Sequence, residues 1–217
     1  MAGQAARAKR HYTWADIRAL PEGVRAEIID GEFFDMSAAP ALLHQQVLRA
    51  LNESFQAQFK GHTCEVFFAP VDVKLADDSV VEPDLLVVCD PNQLQGTHIE
   101  GAPALVVEIL SPSSSLHDRW RKMRLYARAG VAEYWIIDPV ARMVEIYVLD
   151  GAGYRLHGSF GPGEKAVSAQ FSKLLVKMDE LFRFPPASGT KARLVKEKRA
   201  VYRAKPRPTV SKKVGKR

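Results

Sequence analysis

Two short apolar runs, Leu85 to Cys89 (LLVVC) and Ala104 to Leu110 (ALVVEIL), constrain the fold more than any other feature of the chain. Each has strand length and lacks the apolar–polar alternation of a half-wet strand, so each reads as a strand covered on both faces. Both belong at the centre of a sheet. Each is also marked by an acid: Asp84 heads the first run, directly after Pro83, and Glu108 interrupts the second. An ionised carboxylate taken out of water is costly unless it is paired, hydrogen-bonded or bound to metal, so these two positions are where chemistry is first sought.

The remaining elements follow from period and punctuation. Thr13 and Asp16 have the spacing of a capping box for a short helix from Trp14 to Leu20, stopped by Pro21. Strands Arg25 to Ile29 and Glu32 to Met36 flank Asp30-Gly31, a dipeptide suited to a tight hairpin turn. Leu43, Val47, Leu51, Phe55 and Phe59 recur every four positions, which predicts a long amphipathic helix over Ala41 to Lys60. Strands are expected at Thr63 to Phe68, Val71 to Leu75 and Val80-Val81, ahead of the two central ones. A helix from Ser115 to Arg128 ends at Gly130; strands Glu133 to Ile137, Met143 to Leu149 and Tyr154 to Leu156 come next, and Ser172 to Leu181 is expected to close the domain as a helix. The order is a mixed αβ pattern with no internal repeat.

Charge is divided unevenly. The net charge of +6 over 217 residues hides a tail, 189–217, with twelve Lys/Arg against the single acid Glu197; the preceding residues hold nineteen basic and twenty-four acidic side chains. The body is therefore acidic and the tail strongly basic. With few large apolar residues and X-Pro breaks at Pro206 and Pro208, the tail is expected to be disordered in isolation and suited to nucleic-acid phosphates, or else to act only as a solubilising terminus. The division is thus a basic extension over 1–12, one domain over 13–187 and a tail over 188–217, the domain being large enough for a single core. Cys64 and Cys89, 25 positions apart without a Cys/His cluster, suggest neither a zinc site nor a disulfide, which points to a reducing cytoplasm. No apolar run approaches the length of a membrane span and residues 1–14 have no apolar leader region, so neither a membrane nor secretion is expected.

In a strand, residues i and i+2 share a face, so Glu108 lies with Val106 and Leu110 in the core. If its strand pairs with that of Asp84, the two carboxylates converge, and two carboxylates with water and a substrate phosphate suffice as a coordination shell for Mg²⁺. Lys122 sits within two helical turns of the Ser/Pro loop after Glu108, where the helix can return it to the strand end; the plainer reading is an exposed pair with Asp118. For Asp84 and Glu108 the plainer readings are a turn cap and a buried salt bridge.

The run EIIDGEFFDMS, then FFAPVDVKL and VVEPDLLVV, then GAPALVVEILSPSSSLHDRWRKMRLYARAGVAEYWIIDP, resembles the Uma2 family, a branch of the PD-(D/E)XK nuclease superfamily, over Trp14 to Leu156. The resemblance implies a restriction-endonuclease-like α/β core, a mixed β-sheet flanked by helices with an N-terminal helix and hairpin. It also implies a Mg²⁺- or Mn²⁺-dependent endonuclease acting on nucleic acid, DNA foremost. It makes Asp84 and Glu108 the acidic pair and Lys122 the substitute for the motif lysine, whose usual slot holds Leu110. Glu32 matches as a further metal ligand, and His44 as a phosphate or water contact, with the competing reading that His44 is a core histidine. Asp118, Ser111 and Tyr126 are expected to orient loop and helix, and Glu133, Tyr134, Trp135 and Asp138 to pack and turn the next strand. Because the body is acidic, phosphate binding would draw on the tail, on Arg119, Arg121, Arg124 and Arg128, or on the second subunit of a homodimer. The rival function is a noncatalytic interaction module on the same fold, and a glycosidase-like acid pair stands as a more distant one.

Overall fold

The computed structural model describes residues 10–36, 41–111 and 116–184, with the side chains of 116–118 left out. The basic tail, the first nine residues, the serine-rich loop and the Asp118 carboxylate therefore lie outside the described residues.

In chain order the elements are α1 (Trp14–Arg18), β1 (Ala26–Ile29), β2 (Glu32–Asp35), α2 (Leu42–Phe59), β3 (Glu65–Phe68), β4 (Val73–Ala76), β5 (Ser79–Val81), β6 (Leu85–Val88), β7 (Ile99–Glu100), β8 (Leu105–Ile109), α3 (Leu116–Ala129), β9 (Glu133–Asp138), β10 (Met143–Asp150), β11 (Gly153–Phe160), β12 (Lys165–Val167), β13 (Leu175–Lys177) and α4 (Met178–Leu181). A six-stranded sheet runs β11-β10-β9-β8-β6-β3, and a five-stranded sheet runs β2-β1-β5-β4-β7. Only β8 and β9 pair parallel in the larger sheet, because α3 carries the chain back between them; the other pairs are antiparallel.

The two apolar runs become β6 and β8, neighbours inside the larger sheet. Their side chains divide by period 2. Leu85, Val87, Leu105 and Val107 join Val47, Leu51 and Phe55 of α2 on one face. Leu86, Val88 and Val106 join Leu125 and Tyr126 of α3 on the other. With a helix on both sides neither face meets water, which is why alternation is missing from these sequences.

The hairpin forms at Asp30-Gly31, whose φ angles of 52° and 72° are the left-handed pair that a two-residue turn requires. The Thr13–Asp16 capping box is present on α1. Two expectations are corrected. Residues 172–181 do not form one helix: β13 pairs with β12 and only Met178–Leu181 is helical. Leu174, Val176 and Met178 are all buried, a period of two that a strand satisfies and a helix does not. Cys64 and Cys89 form a disulfide. The β3–β6 register pairs Glu65 with Val88, and one step further sets Cys64 opposite Cys89. Their 25-residue separation hides a cross-strand contact, so the cysteines give no argument for a reducing compartment. Among the described residues no helix is long and apolar enough to cross a membrane.

Candidate active site

The β6–β8 ladder fixes the site. Leu85 pairs with Val107, so continuing the register by one residue puts Asp84 opposite Glu108. Asp84 Oδ2 accepts a hydrogen bond from the Ile109 backbone N–H at 2.7 Å, which fastens the carboxylate across the strand end. From the α2 face, His44 Nε2 stands 3.2 Å from Asp84 Oδ1. From the α3 face, Lys122 and Tyr126, one turn apart and hence on one side of the helix, both donate to Glu108 Oε1, at 2.9 and 2.6 Å. Lys122 Nζ makes a second bond, 2.8 Å long, to Glu27 Oε1 of β1.

The side chains of Asp84, Glu108 and Lys122 keep 13–16% of their surface exposed, whereas Glu27 keeps 5%. The first three reach the surface; Glu27 sits behind them. A cavity of about 350 Å³, lined by Arg25, Asp72 and Glu82 beside α1, lies apart from the carboxylate pair.

Burial pushes the Glu108 carboxyl up to about 7. Lys122 pulls against that rise, the Asp84 and Glu27 charges add to it, and the Tyr126 hydrogen bond lowers it. Burial alone would lower the Lys122 ammonium, yet the Glu108 and Glu27 carboxylates outweigh it and raise the pKa well above the ordinary lysine value. Lys122 is thus a permanent cation. Burial first, and then the Glu108 and Glu27 charges, hold the Tyr126 phenol protonated, as its donor role needs. Burial would lower His44, but the Asp84 hydrogen bond and charge, followed by Glu108 and the Ile109 backbone, raise it overall. Among the described residues, His44 Nδ1 is buried and has no hydrogen-bond partner.

The structure therefore brings together Asp84, Glu108, Lys122 and His44. Glu32 pairs with Ile29 across the hairpin, its carboxylate 3.9 Å from Arg121, and among the described residues no group of three His, Cys, Asp or Glu is placed to hold a metal ion. The hairpin acid that reaches the site is Glu27, on the other strand. All four residues of β1 are buried, so a charge among them needs a partner. The helix arginines are also largely engaged. Arg119 pairs with Glu145, Arg121 lies over the Phe34 ring, and Arg128 pairs with Asp30, so these three bind α3 to its neighbours.

The family model for Uma2, described as "Putative restriction endonuclease", matches residues 14–176. The chain belongs to the Uma2 family. A Synechocystis protein described only as uncharacterized is 28% identical over 123 residues, 56% of this chain and 64% of its own length. A crystal structure from Anabaena variabilis, described as a putative nuclease belonging to DUF820, superposes with a TM-score of 0.65 at 20% identity, covering 79% of this chain and 97% of its own. At that identity the likeness shows the fold, which is the mixed α/β nuclease-like core expected of a Uma2 chain.

The donor set of this Uma2 chain fits a hard divalent cation. Two carboxylates from adjacent strands meet at a partly open edge, with Lys122 on Glu108 and His44 on Asp84, and two protein carboxylates completed by water are an ordinary Mg²⁺ shell.

Proposed function

We propose that this chain is a Mg²⁺- or Mn²⁺-dependent endonuclease that hydrolyses phosphodiester bonds in nucleic acid, with DNA as the favoured substrate. The observation that carries the reading is the cross-strand pair Asp84–Glu108 with Lys122 fastened to it. Asp84 and Glu108 would hold the metal, which when bound acidifies water and neutralises charge on the scissile phosphate. With Lys122 and Tyr126 both donating to Glu108 Oε1, the carboxylate is oriented by that oxygen and Oε2 is the atom to turn outward. His44 holds Asp84 in place through Oδ1. Lys122 contributes a fixed positive charge to the phosphate as negative charge builds in the transition state. Leu110 occupies the slot two residues after Glu108, so the lysine comes from α3 instead. Phosphate attraction remote from the site would come from the exposed Arg124 and Arg128 of α3, from the basic tail 189–217 or from a second copy of the chain, since Arg119 and Arg121 are held against neighbouring strands.

Incubation of the protein with supercoiled plasmid and with single-stranded RNA, in Mg²⁺ and in chelator, tests the reading. Cleavage of DNA in Mg²⁺ that disappears in chelator and in Asp84→Asn is expected. Binding without turnover under any metal would turn the reading to a noncatalytic module, and undiminished cleavage by Asp84→Asn would remove the pair from the chemistry.

A further inference from the structure

A lysine ammonium has three N–H donors, and two on Lys122 are spent on oxygens from different strands: Glu108 Oε1 of β8 at 2.9 Å and Glu27 Oε1 of β1 at 2.8 Å. Two fixed acceptors leave a tetrahedral ammonium one remaining direction for its third N–H. One acceptor alone would leave the group free to swing about that bond. Glu27 is suited to be the second anchor because it is itself held. It is 4% exposed, and the same Oε1 accepts the Glu82 backbone N–H at 3.0 Å. Glu82 is followed by Pro83 and Asp84, so one carboxylate oxygen ties the lysine to the chain segment that carries the first acid.

We propose that Glu27 is the positioning residue of Lys122, fixing the direction in which the ammonium presents its third N–H to the scissile phosphate. The proposal rests on the nuclease reading above. It gives the N-terminal hairpin a role in the chemistry: β1 belongs to the five-stranded sheet, Glu108 to the six-stranded one, and Lys122 bridges the two. The competing role is purely structural, with Glu27 serving only to neutralise a buried cation. That role predicts a less stable protein whose folded molecules turn over normally.

Single-turnover cleavage at saturating Mg²⁺ and DNA separates the two. Glu27→Ala is expected to slow the step by about a hundredfold and Glu27→Gln, which keeps an acceptor oxygen of the same shape, by about tenfold. Metal and DNA affinities should stay within about threefold, since Glu27 touches neither. If Glu27 acts through the lysine, Glu27→Ala with Lys122→Met is no slower than Lys122→Met alone. Glu27→Gln serves if the alanine variant does not fold. Rates of both Glu27 variants within threefold of wild type would overturn the proposal, as would a double variant far slower than Lys122→Met. A second readout needs no activity: the Nζ nucleus of Lys122 should show restricted motion by ¹⁵N NMR in the wild type and greater mobility in Glu27→Gln. Equal order in both proteins overturns the anchoring. A wild type that cleaves nothing in Mg²⁺ overturns the nuclease reading, and the NMR comparison still decides whether Glu27 positions Lys122.

Discussion

Glu108 and Glu133 sit on neighbouring strands of one sheet, and both are carboxylates in a core, yet their surroundings differ in kind. Glu133 is fully buried and accepts from Trp135 Nε1 at 2.5 Å, Ser168 Oγ at 2.9 Å and the Gln170 N–H at 2.7 Å. Its donors are neutral, spread over both oxygens, and they pin the 168–170 turn to β9. Glu108 is slightly open, places two donors on one oxygen, faces a second carboxylate, and holds its proton up to about 7. A carboxylate kept for the fold is saturated with hydrogen bonds. Glu108, among the described residues, takes both of its side-chain donors on one oxygen and has a like charge beside it.

The contrast is broken or sharpened most strongly by removing each acid. Asp84→Asn or Glu108→Gln should lower Mg²⁺-dependent cleavage on the order of a thousandfold or more by taking away a metal oxygen, while thermal melts of the metal-free proteins stay near wild type. Lys122→Met should cost about a hundredfold in single-turnover rate with little change in DNA affinity, and a rate within a few-fold of wild type would remove it from the mechanism. Glu133→Ala should do the reverse. It strands buried donors and should cost about 3 kcal/mol of stability, read by denaturant unfolding, while folded molecules cleave at the wild-type rate.

The pH dependence separates the two acids further. An unfolded Glu108 carboxyl loses its proton near the ordinary value of 4.5, the folded one near 7, so the metal-free fold is favoured at low pH and loses that stability as pH rises through about 7. Metal needs the ionised form. Mg²⁺ affinity should therefore rise about tenfold per pH unit up to about 7 and level off above it, a profile absent from Glu108→Gln. The smallest effect belongs to the tail: truncation after Ala187 should weaken DNA binding and flatten its salt dependence without changing the rate once substrate saturates.

Much of this was legible in the residues. LLVVC and ALVVEIL could only be central strands, and the charge inside the second run marked Glu108. The α2 stripe was correct, with His44 at its buried end in place of Leu43. Lys122 was reachable by counting helical turns from the serine loop. What stayed hidden depends on pairing between distant segments. Glu27 lies in a strand too short to show a period, and its partner is 95 residues away. The Cys64–Cys89 bond follows from a ladder register that no spacing rule encodes. The helix expected over 172–181 failed because its apolar residues alternate, a signal overlooked in a short segment.

The most direct measurement is a Mn²⁺ titration followed by electron paramagnetic resonance at pH 8, run in parallel on the wild type, Glu108→Gln and Glu133→Gln. Wild type and Glu133→Gln should bind Mn²⁺ alike, and Glu108→Gln should bind it at least tenfold more weakly, since it alone has lost an anionic ligand oxygen. Equal Mn²⁺ binding by wild type and Glu108→Gln would contradict the assignment of the Asp84–Glu108 pair as the metal centre.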